Sequence, residues 1–335
     1  MLEEIYSKLM DQKSRAIYKS RLLYSLTGDY DEIRRIVADT DSAKALRNKV
    51  NISGSKQVIL WGTGFWGNWI LKSFPDINWS GYADNAPHCS VMNGLPVYKS
   101  VDFLSEYENP SIVIATTFFH NEIYHQLLAA GISKDRIIDA GGMMCDLFDA
   151  QYFDLPYLNH DDEEIFVDAG CFDGMTVRNF IRWSGRNYKE ILSFEPDAKC
   201  YRECGEKLKD VKNLTLENIG LWNKEDVLCF HGTGASDSRI DAAGETQIKV
   251  GRLDDIAYDR RVSFIKMDIE GAEKEAILGA SKIIARYQPK MAVSIYHKRE
   301  DIWELPKLLL EINPEYKFYL RHYSFRDAET VLYAL

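Results

Sequence analysis

The chain has 335 residues, of which 46% are hydrophobic and 27% are charged, and this balance is that of a folded globular protein rather than a disordered or fibrous one. The length favours two domains. A formal net charge of -10, with no long run of basic residues, argues against binding to nucleic acid, whose phosphate backbone repels such a chain.

The cysteine pattern and the hydropathy of the chain indicate the cellular compartment in which the protein is expected. The six cysteines are scattered without a Cys-x-x-Cys pair, which predicts neither a zinc site nor a disulfide framework, so reduced thiols are expected. The first 21 residues lack the apolar core of a signal peptide, and no stretch approaches the roughly eighteen apolar residues of a membrane helix. We therefore expect a cytoplasmic protein without a membrane span.

Residues 1–50 are predicted to be an N-terminal helical segment, because apolar residues recur there at helical spacing among charged ones. Gly28-Asp29 is expected to interrupt the helices, and residues 51–55 are expected to form a loop.

Residues 51–145 are predicted to be a small Rossmann-like domain. The buried strand Val58–Trp61 runs into a glycine turn and a helical stretch, which is the order of elements in a nucleotide site. Asp84 ends the next strand about twenty residues on, where an acidic side chain binds a ribose in such sites. Three glycines match the G-x-G-x-x-G pattern of that turn: Gly62, Gly64 and Gly67.

This segment resembles the small nucleotide-binding domains of some sugar-modifying enzymes, and the stretches 81–85 and 94–97 strengthen the likeness. A nucleotide or nucleotide sugar is the ligand that the resemblance implies. The alternative is a turn that serves packing alone.

Periodicity is lost between Met143 and Glu164, which indicates a linker or a domain seam. Residues 160–335 then form a second α/β series, predicted to be a seven-stranded, mostly parallel sheet with an antiparallel C-terminal edge. An inserted hairpin is expected between Val227 and Val250. The predicted strands are Ile165–Asp168, Ile191–Phe194, Leu214–Asn218, Phe264–Asp268, Met291–Tyr296, Phe318–His322 and Thr330–Leu335.

Chemistry-bearing residues follow the first three of these strands. The first strand ends in a glycine-rich turn, and glycines there let the backbone approach a ligand at the carboxyl edge of the sheet. The second strand ends at Glu195, whose two oxygens can chelate a pair of ribose hydroxyls. The third ends at Asn218, from which a purine can be contacted. The residues of the first turn are Asp168, Gly170, Asp173 and Gly174.

The fourth strand ends in Lys-Met-Asp-Ile-Glu-Gly-Ala-Glu, residues 266–273, and this motif carries a resemblance together with the stretches 167–170 and 194–196. All three are similar to motifs of the FkbM family of methyltransferases, over roughly residues 164–324. The resemblance implies a class I methyltransferase fold, S-adenosylmethionine as cofactor and O-methylation of a sugar or polyketide-type hydroxyl.

Carried over by position, the first turn would bind the cofactor, Glu195 would contact its ribose, and Asp268 would face the transferable methyl group. Many relatives have Ala-Asn where this chain has Cys171-Phe172, so these two residues are not assigned as contacts.

Asp268 and His297 are the catalytic candidates, because both end strands at the same edge of the predicted sheet. A histidine that takes the proton of the acceptor hydroxyl could raise the rate about a hundredfold. The alternative is a hydrogen-bonded surface histidine. Glu270 and Glu273 fall in a first helical turn, where acidic residues also stabilise the helix dipole.

No metal ligands are assigned. Magnesium held by Asp268 and nearby carboxylates is the less favoured alternative, because hard oxygen ligands suit that ion.

The favoured function is an S-adenosylmethionine-dependent O-methyltransferase that modifies a carbohydrate or another small-molecule acceptor. One rival is an NAD(P)-dependent oxidoreductase that uses the glycine turn at residues 62–67. The other is a nucleotide-sugar-binding protein without turnover.

Overall fold

The computed structural model describes residues 1–232, 238–241 and 243–335, which form two compact units. The larger unit comprises Met1–Thr27, Ala150–Arg321 and Glu329–Leu335. The smaller unit comprises Gly28–Asp149 and His322–Ala328. Each unit contains a sheet with helices between its parallel strands, so the predicted α/β class is confirmed.

The helices of the described residues are α1 Leu2–Lys8, α2 Gln12–Thr27, α3 Asp31–Ala38, α4 Asp41–Ile52, α5 Phe65–Ser73, α6 His120–Ala129, α7 Ala140–Ala150, α8 Met175–Trp183, α9 Ala198–Leu208, α10 Leu253–Ile256, α11 Glu273–Gly279, α12 Ser281–Tyr287 and α13 Asp301–Ile312. Short 3-10 helices lie at Asp102–Ser105 and Lys134–Arg136.

The strands of the same residues are β1 Val58–Trp61, β2 Trp79–Asp84, β3 Val91–Met92, β4 Leu95–Lys99, β5 Ser111–Ile114, β6 Ile137–Asp139, β7 Ile165–Ala169, β8 Glu190–Phe194, β9 Leu214–Glu217, β10 Gly220–Leu221, β11 Asp226–His231, β12 Arg239–Ile240, β13 Thr246–Gly251, β14 Phe264–Met267, β15 Lys290–Ser294, β16 Phe318–His322 and β17 Thr330–Ala334.

The predicted N-terminal helical segment, residues 1–50, is divided between the two units. Helices α1 and α2 belong to the larger unit, where Leu9 pairs with Phe318 and Asp11 forms an ion pair of 2.7 Å with Arg321. Gly28 has a positive φ of 73° and interrupts the helices at the predicted place. Helices α3 and α4 belong to the smaller unit. Periodicity showed the helices but not which unit each one packs against.

The smaller unit has strand order β3-β4-β2-β1-β5-β6, and β1 pairs in parallel with β2 on one side and β5 on the other. Strand β1 is buried along its whole length, as expected for an apolar strand covered on both faces. Chain order reverses at β1, and such a switch point is where open α/β sheets bind ligands.

Residues 143–150 of the segment predicted to be a linker or domain seam are helical and belong to α7, and the boundary between the two units falls within that segment, at Asp149 and Ala150. Asp139 starts this helix, because its carboxylate accepts a hydrogen bond of 2.8 Å from the backbone N–H of Gly142. This side-chain cap explains why a helix begins at Ala140 although two adjacent glycines, 141 and 142, lie in its first turn.

The larger unit has a seven-stranded sheet of order β16-β17-β15-β14-β7-β8-β9 within the described residues. Strands β15, β14, β7, β8 and β9 are parallel, whereas β17 is antiparallel to β15. This confirms the predicted mostly parallel sheet with an antiparallel C-terminal edge. The parallel strands bring the carboxyl ends of β7, β8, β9, β14 and β15 to one edge.

Aromatic packing fixes the first strand and helix of this sheet. Phe166 on β7 stacks on Phe180 of α8 with ring centroids 4.2 Å apart, and Phe264 of β14 meets Phe166 edge-on. All three rings are fully buried, and each such side chain contributes roughly 1.5 to 3 kcal/mol of burial free energy.

The inserted hairpin is confirmed as the antiparallel pair β11 and β13, which lies in a four-stranded sheet of order β10-β13-β11-β12. Part of the connection between β11 and β13 lies outside the described residues. Among the helices that the structure describes, none is both long and apolar enough to cross a membrane.

Candidate active site

The turn after β7 lies directly against the end of β14. Gly170 has a φ of +81°, and a Cβ there would lie 2.0 Å from the backbone oxygen of Asp268. Gly174 has a φ of +80° and begins α8, where a Cβ would lie 2.9 Å from the Leu208 side chain. Both predicted glycines are therefore required by backbone conformation and close approach.

Glu195, at the end of β8, ties this turn to its own strand. One carboxylate oxygen accepts a hydrogen bond of 2.8 Å from the N–H of Phe172, and the other accepts one of 2.9 Å from the N–H of Asp197. Burial raises the pKa of Glu195, and these backbone hydrogen bonds offset the effect only in part. Each oxygen keeps a second lone-pair direction for a ligand hydroxyl.

Asn218 joins the same group of strand ends. Its side-chain amide donates hydrogen bonds of 2.8 Å to the backbone oxygen of Glu195 and of 3.1 Å to that of Pro196. The structure thus brings the predicted residues of three strands together.

A cleft of about 920 Å³ opens beside Asn218. Its lining combines polar residues at the ends of β8 and β9 with apolar residues of the inserted sheet, a combination that suits a flat heteroaromatic ring. Residues on its two sides include Pro196, Asp197, Ile219, Phe230 and Ile248.

Asp173 is the outer member of the predicted turn. Its carboxylate accepts a hydrogen bond of 3.0 Å from the N–H of Met175 and lies 3.7 Å from the Lys207 ammonium. The hydrogen bond fixes the turn just before helix α8, and the side chain is partly open to solvent.

Asp168 does not reach the surface. Its side chain is 0% exposed and that of Lys266 is 2% exposed, with the ammonium 3.1 Å from the carboxylate. Lys266 also donates hydrogen bonds of 3.0 Å to the oxygen of Ala169 and of 2.6 Å to that of Gly170. Burial raises the pKa of Asp168, although Lys266 partly offsets it. Asp168 thus anchors the lysine that holds the turn, and a direct contact between Asp168 and a cofactor stays a prediction.

Three carboxylates surround His297, which follows β15. Asp268 lies 3.4 Å and Glu270 3.6 Å from Nε2, and Glu273 lies 2.9 Å from Nδ1. The ring is 7% exposed. Burial lowers the pKa of His297, but the negative charge of Glu273, with Glu270 and Asp268, outweighs it and raises the pKa well above its ordinary value. We call these four residues the acid–histidine cluster.

This electrostatic arrangement bears on the predicted base. A ring that is already protonated donates a proton rather than accepts one, so the charge of His297 argues against proton removal by this side chain. Asp268 is the ionised group beside it. Partial burial favours a higher pKa for Asp268, but the charges of His297 and Lys266 prevail and lower it.

Two tyrosines that the sequence did not nominate hold Asp268. The Tyr152 hydroxyl donates a hydrogen bond of 2.7 Å to one carboxylate oxygen, and the Tyr296 hydroxyl donates one of 3.3 Å to the other. Tyr152 lies in the segment predicted as a linker, where no motif marks it. Tyr296 precedes His297 directly, so its proximity to the site could have been inferred from its place at the strand end.

Among the cysteines, the sulfur atoms of Cys171 and Cys204 are close enough to be joined as a disulfide, a pairing that the sequence did not predict. Cys171 lies in the glycine-rich turn and Cys204 in α9.

In the smaller unit, the three glycines serve three different needs. Gly62 has a φ of +119°, which makes the turn after β1. Among the described residues, no atom outside the immediate chain neighbours lies within 4 Å of a Cβ built on Gly64, so that face is open, whereas a Cβ on Gly67 would lie 2.0 Å from the backbone oxygen of Gly62. In dinucleotide-binding folds, the first of these glycines makes the tight turn, the second lets the ligand approach the backbone, and the third allows close packing of the helix.

Asp84, the predicted ribose contact, is already bound to this turn. One oxygen accepts hydrogen bonds of 2.9 Å and 2.8 Å from the N–H and hydroxyl of Thr63, and the other accepts one of 3.0 Å from the N–H of Ala86. The structure brings Asp84 to the glycine turn, where it fixes the backbone.

The buried ion pair of the larger unit leads to a stability prediction. Lys266→Met leaves the Asp168 carboxylate without its cation, and we expect it to reduce the free energy of unfolding by about 3 to 5 kcal/mol. Lys274→Met is the matched control, because Lys274 pairs with Glu304 at the surface and its loss should cost less than about 1 kcal/mol. Urea unfolding followed by circular dichroism measures both, and equal losses would contradict the anchoring role of Lys266.

Comparison with solved structures supports the architecture. The chain is similar to the crystal structure of methyltransferase FkbM from Methylobacillus flagellatus KT, with 18% sequence identity and a TM-score of 0.53. The match covers 92% of this chain and 99% of that chain. At this identity the likeness shows the fold, and it confirms the predicted class I methyltransferase architecture.

Two further matches cover about half of the chain. An rRNA methylase from Streptococcus thermophilus is 16% identical, with 52% of this chain and 86% of that chain covered and a TM-score of 0.34. Fibrillarin from Aeropyrum pernix, in complex with natively bound S-adenosyl-L-methionine, is 13% identical, with 57% and 74% covered and a TM-score of 0.35. These TM-scores are too low to support an argument. No curated protein matches the chain.

A comparison with family models bears on the second half of the chain. The model of the methyltransferase FkbM domain matches residues 168–326, a range that includes the glycine-rich turn, Glu195 and the acid–histidine cluster. The resemblance that the motifs carry is thereby confirmed. Residues 168–326, slightly less than half of the chain, are thus similar to the FkbM domain of methyltransferases.

Proposed function

We propose that the larger unit transfers a methyl group from S-adenosylmethionine to a hydroxyl of a sugar or sugar-containing metabolite. One observation carries the proposal: the turn at Gly170 lies between Glu195 and Asp268, and it contacts both strand ends. A Cβ at Gly170 would lie 2.0 Å from the backbone oxygen of Asp268, the residue whose side chain belongs to the acid–histidine cluster, while the N–H of Phe172 donates to the Glu195 carboxylate at 2.8 Å. A ligand that lies over this turn therefore has a carboxylate on each side.

The residues present fit the cofactor. Glu195 offers free lone pairs to the ribose hydroxyls. The exposed backbone of the glycine-rich turn would bind the amino-acid part of the cofactor, and the cleft beside Asn218 would bind its adenine. S-adenosylmethionine supplies a methyl group that is activated by its sulfonium charge. With the cofactor held in this way, Asp268 at the other side of the turn would face its methyl group.

The protein's part in the reaction is alignment and proton transfer. The acceptor oxygen forms a bond to the methyl carbon as the carbon–sulfur bond breaks, and the hydroxyl proton must leave. We assign its acceptance to Asp268 rather than to His297, because the pKa of His297 is raised and that of Asp268 is lowered. His297 then positions Asp268 from 3.4 Å away.

The surface formed by Asp268 and Glu270 suits a polar acceptor. Asp268 and Glu270 are partly exposed beside the buried ring of His297, and carboxylates bind the hydroxyl pairs of carbohydrates through hydrogen bonds. The family resemblance points to the same class of acceptor, and a location in the cytoplasm stays a prediction.

We expect Glu195→Gln to weaken the binding of S-adenosylmethionine by about 1 to 3 kcal/mol, because a charge-assisted acceptor of the ribose hydroxyls is lost. Isothermal titration calorimetry measures the dissociation constant. Glu203→Gln is the control, since this exposed glutamate on α9 pairs with Lys199 at the surface. An unchanged dissociation constant in a folded Glu195→Gln protein would remove Glu195 from the site.

We expect Asp268→Asn to lower kcat about a hundredfold while S-adenosylmethionine binds almost as well as before, because proton acceptance matters in the transition state. The assay is mass spectrometry of a panel of nucleotide sugars and oligosaccharides, in which a methylated product gains the mass of one CH2 group. Asp259→Asn, an exposed acid outside the cluster, serves as the control. Wild-type turnover by Asp268→Asn would refute the assignment of the proton acceptor.

We also propose that the smaller unit binds a nucleotide-containing ligand. The observation that favours it is the open face of Gly64 at the switch point of the sheet, between Gly62 and Gly67. Space next to a glycine in this position is what close approach of a phosphate requires. A nucleotide sugar would agree with a carbohydrate acceptor, whereas NAD(P) would agree with the oxidoreductase rival.

For this second proposal we expect UDP-glucose to raise the melting temperature of the full chain by several degrees at about 100 times its dissociation constant, since ligand binding then adds about 2.7 kcal/mol. Gly64→Leu should abolish the shift without lowering the melting temperature of the free protein, because its side chain enters open space. A shift with NAD alone would favour the oxidoreductase rival, and no shift with either ligand would leave the turn a packing element.

A further inference from the structure

The acid–histidine cluster concentrates negative charge around one cation. Asp268, Glu270 and Glu273 approach the two nitrogens of His297 within 3.6 Å or less. Three of the residues, Asp268, Glu273 and His297, can each offer one ligand atom, and these atoms all lie within 4.8 Å of one another. An arrangement with more anions than cations attracts a further positive charge.

The histidine provides an independent observation. Its side chain is 93% buried, and neither ring nitrogen makes a hydrogen bond in the described residues, although carboxylate oxygens lie within ion-pair distance of both. A buried imidazole without an aligned hydrogen bond is uncommon in folded proteins. The ring is directed at the carboxylates, which hold it protonated, and a metal ion between them would take the place of that proton.

We propose that Asp268, Glu273 and His297 bind a divalent transition-metal ion. Two carboxylate oxygens and one imidazole nitrogen suit Mn²⁺, Fe²⁺, Co²⁺ or Zn²⁺ better than magnesium, which is usually held by oxygen atoms alone. Ligands on opposite sides of such an ion lie about 4.2 Å apart for bonds of about 2.1 Å. Small side-chain rotations from the present separations therefore bring all three atoms into place.

The surrounding contacts already orient two of the ligands. Tyr152 and Tyr296 donate hydrogen bonds to Asp268, and the N–H of Ile269 donates one of 2.9 Å to Glu273. Hydrogen bonds of this kind hold metal ligands in position and tune their basicity.

The position of the ion next to Asp268 determines which group of the substrate it would act on. This part of the inference rests on the proposed methyl transfer. Asp268 faces the methyl group in that proposal, so the open side of the ion faces the acceptor hydroxyl. A bound cation lowers the pKa of a coordinated hydroxyl. Because Asp268 is a ligand when the ion is bound, the proton would then pass to Glu270, which lies 3.6 Å from His297 and is not needed as a ligand, instead of to Asp268.

The test is titration of the metal-free full-length chain with MnCl₂, followed by electron paramagnetic resonance of the free ion. We expect saturable binding of one Mn²⁺ per chain, weakened at least about tenfold by His297→Gln and by Asp268→Asn. Glu275→Gln removes the same charge from helix α11 outside the cluster, so it should bind Mn²⁺ like the wild type. Thermal melting checks that each variant is folded.

Pulsed electron paramagnetic resonance of the wild-type complex adds a readout that needs no variant, because coupling to an imidazole nitrogen shows a histidine ligand. Absence of saturable Mn²⁺ binding, absence of nitrogen coupling, or equal affinity in the His297→Gln and control proteins would each overturn the inference.

Titration of the same samples with S-adenosylmethionine separates this inference from the proposed function. Cofactor binding without Mn²⁺ binding overturns the metal site and leaves methyl transfer intact. Mn²⁺ binding without cofactor binding supports the metal site and contradicts the methyltransferase proposal.

Discussion

The buried ion pair between Lys266 on β14 and Asp168 on β7 is the interaction on which the site depends. It joins the two central strands of the sheet, and the same ammonium donates to the backbone oxygens of Ala169 and Gly170. A buried pair is costly to desolvate, and these additional hydrogen bonds are what make it tenable. Because the pair fixes the start of the glycine-rich turn, it sets where that turn meets Asp268.

The two sides of the turn differ in how their carboxylates are stabilised. Glu195 is held by backbone N–H groups and keeps its pKa raised by burial, whereas Asp268 is held by tyrosine hydroxyls and by the charge of His297, which lower its pKa. This difference matches two tasks: one carboxylate binds a neutral diol through hydrogen bonds, and the other is ionised where a proton must be received.

Strand ends were predictable from the sequence, because short apolar runs are followed there by glycine or acidic residues, as at Gly170, Glu195 and Asp268. Contacts that arise between distant segments were not. Tyr152 reaches Asp268 from 116 positions away, the burial of Asp168 depends on Lys266, and the charge of His297 depends on three carboxylates that the fold assembles. Local patterns carry no record of such neighbours, which is why the base assignment changed.

A crystal structure of the chain with S-adenosylhomocysteine tests the central claim most directly, because it locates the cofactor relative to the turn. The account predicts that both ribose hydroxyls lie within hydrogen-bond distance of the Glu195 carboxylate, that the adenine lies in the cleft beside Asn218, and that the sulfur atom points toward Asp268. A ligand bound elsewhere, or one whose sulfur atom points away from the acid–histidine cluster, would contradict it.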